Sequence, residues 1–108
     1  MGFVGETWSL YHQRELLGQL VVTGVDFPWL RARFQAEPGF QTVRPLFEEE
    51  LRLLDTIDDD VDAWEAAYGR VRDAVSLAGP DGRRVPEFLL HIEGENAWWR
   101  GNDEPFPA

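Results

Sequence analysis

Apolar and polar side chains alternate along the first part of the chain with the period of a β-strand, and turn residues interrupt the alternation at short intervals. Trp8, Leu10 and His12 share one face of a first strand, Trp8 to His12, and Gln13-Arg14-Glu15 is a polar break. Leu16 to Thr23 follows, apolar on both faces and closed by Gly24, which is the pattern of a strand interior to a sheet. Asp26-Phe27-Pro28 makes a turn, because proline fixes its own φ and moves its predecessor away from helix. Trp29 to Gln35 then alternates without a fault, with Leu30, Ala32 and Phe34 on one side and Trp29, Arg31, Arg33 and Gln35 on the other.

After Glu37-Pro38-Gly39 the apolar period lengthens to about 3.6 residues. Val43, Phe47, Leu51 and Leu54, flanked by Leu46 and Leu53, stripe a helix expected from Thr42 to Asp55, with Thr42 as N-cap and Pro45 tolerable in the first turn. Val61, Trp64, Tyr68, Val71 and Val75 stripe a second helix. Asp58, Asp59 and Asp60 stand at its start, where carboxylates cap free amides, and Arg70 and Arg72 stand toward its end, where cations suit the macrodipole. Gly79-Pro80-Asp81-Gly82 spells a tight turn. Val85 to Glu93 is the next strand, with Phe88, Leu90 and Ile92 on one face and Glu87, Leu89, His91 and Glu93 on the other. Gly94-Glu95-Asn96 is a second hairpin loop, Ala97 to Arg100 a short last strand, and 101–108 a loose tail.

Strands joined by short links pair antiparallel, and two adjacent helices with one apolar stripe each bury those stripes most simply on the same side of a sheet. The expected fold is therefore α+β: a single antiparallel sheet of five or six strands with two adjacent helices packed on one face, in the order βββααβββ. At 108 residues the chain is read as one domain, 1–108.

Charge changes this picture more than size does. The chain has 20 acids and 10 bases, a formal net of −10, and every base is arginine. The excess is local: residues 48–65 hold nine acids (Glu48, Glu49, Glu50, Asp55, Asp58, Asp59, Asp60, Asp62, Glu65) against Arg52 alone, a net of −8. Such a field repels nucleic-acid phosphates and anionic lipid and attracts basic proteins. No apolar leader or membrane-spanning run is visible, so the expected location is cytoplasmic and no membrane partner is expected. The absence of cysteine removes disulfides, thiolate metal sites and cysteine nucleophiles.

Catalytic templates fit poorly. The chain has two serines, four threonines, two histidines and no Gly-x-Ser-x-Gly elbow, and Ser9 and His12 point to opposite strand faces. Asp58 to Asp62 resembles half of a calcium loop, but Ala63 stands where the turning glycine belongs and Gly69 where the bidentate glutamate belongs. His12 and His91 are read as hydrogen-bonded structural histidines, without a spacing motif for metal. No strand-to-helix glycine turn cradles phosphate, and no cofactor is implied.

Two surfaces remain as candidates for docking. One is the uncovered sheet face, where Trp29, Arg31, Arg33, Glu87, His91 and Glu93 combine aromatic area, arginine forks and carboxylates. The other is the acidic helix pair, with Glu48, Glu49, Asp58, Asp59 and Asp62. Trp8 and Trp64 lie on apolar stripes and are assigned to the core, and one of Trp98 and Trp99 must join the uncovered face. The expectation is a small, acidic, non-catalytic protein-interaction module. A small-molecule site or enzyme on the sheet face is the alternative, and a homodimer through exposed edge strands a further one.

Overall fold

The computed structural model describes residues 3–102. Among them the chain forms β1 (Thr7–His12), β2 (Glu15–Asp26), β3 (Trp29–Ala36), α1 (Arg44–Leu54), α2 (Val61–Ala74), β4 (Ser76–Ala78), β5 (Glu87–Glu93) and β6 (Asn96–Asn102). This is the expected α+β order βββααβββ. The strands make one antiparallel six-stranded sheet in the spatial order β4-β1-β2-β3-β6-β5.

Alternation set the strands' faces as expected. Leu30, Ala32 and Phe34 of β3 and Phe88, Leu90 and Ile92 of β5 are buried, and Arg31, Arg33 and Gln35 are exposed. The buried set joins Phe47 of α1 and Tyr68 and Val71 of α2 in one core cluster, so the helix stripes and the apolar sheet face bury each other. In β6, Trp99 is fully buried and Trp98 turns to the other side, which settles which of the pair faces in. Trp8 of β1 meets Trp99 at 5.4 Å between ring centroids. Three strand spacings separate their backbones, about 14 Å in a flat sheet. Twist and side-chain lean close the gap, so the apolar face is concave.

Several boundaries differ from expectation for local reasons. β2 runs past Gly24, because a bulge at Thr23 shifts the register and pairing resumes with Gly24 opposite Arg31. Pro38 opens a 3-10 turn, Pro38–Thr42, that leads straight into α1, so Thr42 is not the N-cap; Val43 holds that position without a side-chain bond. Asp60 caps α2 as expected, its Oδ1 accepting the Ala63 N–H at 3.1 Å. β5 starts at Glu87 rather than Val85. Arg84 bridges Ala78 of β4, the Val85 N–H donates to Leu77 O, and Pro86 has no N–H to continue a ladder. Gly94 takes φ +61° in the tight β5–β6 loop, a conformation that favours glycine. Of the tail expected over 101–108, Gly101 and Asn102 belong instead to β6, and 103–108 lie outside the described residues.

The edges of the sheet are engaged. At β5 the Tyr68 hydroxyl accepts the Leu90 N–H at 2.9 Å and donates to the Phe88 carbonyl at 2.8 Å, so α2 saturates outward-pointing backbone groups of that strand. At β4 the Arg84–Val85 segment does the same. Among the described residues no helix is long and apolar enough to cross a membrane.

Candidate functional site

Three consecutive glutamates on α1 meet three different fates, because successive helical residues rotate by about 100°. Glu48 is exposed. Glu49 bonds the guanidinium of Arg52 at 2.9 and 2.6 Å, and that hydrogen bond holds its carboxyl below the usual value. Glu50 is fully buried. Its Oε2 accepts the Trp64 Nε1–H of α2 at 2.7 Å, and its Oε1 lies 2.8 Å from His91 Nδ1 of β5. One carboxylate thus ties both helices to the sheet.

That tie corrects part of the sequence reading. His91, expected on an uncovered face, is only 3% exposed. It alternates outward between Leu90 and Ile92, but β5 is the last strand of the sheet, and α1 at its edge reaches round to it. The His91 ring also packs near Trp98 at 5.3 Å, Trp29 at 6.0 Å and Tyr68 at 6.4 Å between centroids. His12 is held separately, its Nδ1 lying 2.6 Å from the Ala74 carbonyl at the end of α2. Both histidines are hydrogen-bonded, as expected, and they do not meet. Among the described residues no group of three His, Asp or Glu is arranged to hold a metal ion.

The other sheet-face candidates are dispersed. Trp29 is half-buried, and Arg31 lies opposite Trp98 in register, exposed. Arg33 pairs with Glu95 at 3.1 Å, both in water, where such a pair adds little stability. Glu93 is exposed at the β5–β6 loop. Glu87 instead turns toward α2. There it shares a cleft of about 840 Å³ with Asp62, Trp64, Glu65, Leu89 and Arg72. One residue from each candidate surface therefore lines the same space, a meeting that the sequence reading missed.

On the helix pair, Asp58 and Asp59 are exposed in the turn before α2, and Asp62 is exposed in its first turn. Trp64, assigned to the core, is half-buried: its ring stacks on Tyr68 at 5.6 Å and 18°, leaving part of the indole at the cleft. A further surface also escaped the sequence reading. Phe27, 88% exposed beside the cis Phe27–Pro28 bond, lines a small apolar cleft with Phe3 and Val25 at the β2–β3 turn. No family model, curated protein or solved structure matches the chain.

Proposed function

We propose that this chain is a small, acidic, non-catalytic protein-interaction module that docks a basic protein in the cytoplasm through its α1–α2 side. The observation that carries the reading is an outward acidic excess. Glu48, Asp55, Asp58, Asp59, Asp62 and Glu65 are exposed, and among the described residues the helix pair's surface holds one ion pair, Glu49 with Arg52. Unpaired carboxylates on one side steer a cationic partner from beyond contact and oppose phosphate backbones.

The other uses of the sheet draw less support. His91 is buried under Glu50 and Arg33 is engaged by Glu95, so the sheet face presents fewer free groups for a ligand. Backbone positions on both edge strands are already bonded within the chain, which leaves less for edge pairing of two copies.

The test starts from a cross-linked partner, its affinity then measured by calorimetry at about 50 and about 500 mM salt. Affinity is expected to fall at least about tenfold, and to be insensitive to a well-folded Trp29→Ala/Arg31→Ala double variant. Binding indifferent to salt, or abolished by the sheet variant, overturns the reading.

A further inference from the structure

The cleft between α2 and β5 joins a rigid aromatic wall to carboxylates on two sides. Its wall is Trp64, whose position is fixed twice: Nε1–H is donated to Glu50 at 2.7 Å, and the ring stacks on Tyr68. Tyr68 is in turn anchored to the β5 backbone through its hydroxyl. An indole held this way loses little freedom when a ligand stacks on it. Asp62 and Glu65 stand on α2 beside it, and Glu87 lines the same cleft from β5. Among the described residues none of these three carboxylates is in an ion pair. Arg72 lies seven positions beyond Glu65 on the same helix, about 10 Å along its axis. Arg100 of β6, opposite Leu89 in register, lines the cleft as well, so its acidic part is the stretch of α2 that holds Asp62 and Glu65 beside Trp64.

We infer that Asp62 and Glu65 beside Trp64, with Glu87 on the β5 wall of the same cleft, seat an arginine side chain of the basic partner. The inference rests on the docking reading above and names its anchor point. A planar guanidinium stacks on an indole face and forks to carboxylates at its edge, which an ammonium group does less well. The space, about 840 Å³, admits more than one side chain, so the occupant is a short cationic segment rather than a lone cation. The exposed acids of the preceding turn, Asp58 and Asp59, add to the field that draws that segment to the molecule.

The experiment titrates the whole chain with an arginine hexapeptide and, separately, a lysine hexapeptide at low salt, following the five tryptophan indole N–H signals by NMR. Trp64 is assigned with Trp64→Phe. The arginine peptide is expected to bind at least about threefold tighter than the lysine peptide and to move the Trp64 signal most. Two triple variants remove the same charge: Asp62→Asn/Glu65→Gln/Glu87→Gln at the cleft, and Glu48→Gln/Asp58→Asn/Asp59→Asn away from it. The cleft triple is expected to weaken binding about tenfold and the other about twofold, with circular dichroism confirming both folds. Equal losses, or peptide binding that leaves Trp64 unmoved, overturn the cleft and leave the acidic docking side standing. No binding of either peptide at low salt overturns both.

Discussion

Replacing Glu50 by alanine removes the acceptor that joins α1, α2 and β5. The carboxylate has no exposed surface, and it holds Trp64 Nε1 at 2.7 Å and His91 Nδ1 at 2.8 Å. Truncation leaves the buried His91 nitrogen and the part-buried Trp64 Nε1 without that partner, and an orphaned buried polar group costs about 1–3 kcal/mol. The side chain's methylenes also leave a void. The expected loss is about 3–5 kcal/mol, the range for removing one member of a buried pair. Against a total of about 5–15 kcal/mol for a domain, that is about a fifth of the stability or more. Urea denaturation followed by fluorescence reads it as a fall in midpoint at unchanged slope. Glu50→Gln separates geometry from charge, since its amide still accepts from Trp64 and can donate to His91 Nδ1 only when that nitrogen is unprotonated. The double variant Glu50→Leu/His91→Phe replaces the polar pair by apolar bulk. It is expected to lose less than the sum of its single variants. A loss below about 1 kcal/mol for Glu50→Ala, or strict additivity in the double variant, refutes the assignment of Glu50 as the tie.

Alkaline titration offers a second test, because the chain has no lysine or cysteine and only two tyrosines. Burial pushes the Tyr68 phenol well above its ordinary value, outweighing the hydrogen bond from Leu90. Above a pH of about 10 the unfolded chain releases this proton and the folded chain keeps it, so stability falls by about 1.4 kcal/mol per pH unit. Denaturant midpoints between pH 9 and pH 11.5, in about unit steps, should show that slope in the native chain and a reduced one in Tyr68→Phe; a flat native profile contradicts the burial. At the start of α2, Asp60→Ala is expected to cost about 1 kcal/mol through loss of the bond to the Ala63 N–H, measured by thermal unfolding, and no change would remove Asp60 from the cap.

Period-two alternation made the strands and their buried faces legible, because a half-buried strand has to show it; Leu30, Ala32 and Phe34 needed no partner to declare their side. Strand order is a matter of long-range pairing, and nothing local in Trp8 announces that its ring meets Trp99 across the concave face. The Glu50–His91 tie spans 41 residues and was missed for the same reason, although half of its signal was local. Glu50 stands on the apolar stripe, three positions after Phe47 and four before Leu54, where a carboxylate must be buried and must find a donor. The same side chain shows why counting acids overstates a docking field. Of the nine acids in residues 48–65, Glu50 is consumed inside, Glu49 is paired with Arg52 and Asp60 caps a helix, leaving six exposed acids outside these bonds. Of those six, Asp62 and Glu65 line the cleft beside Trp64. Glu50 thus adds nothing to the outward charge, yet it fixes the aromatic wall against which part of that charge acts.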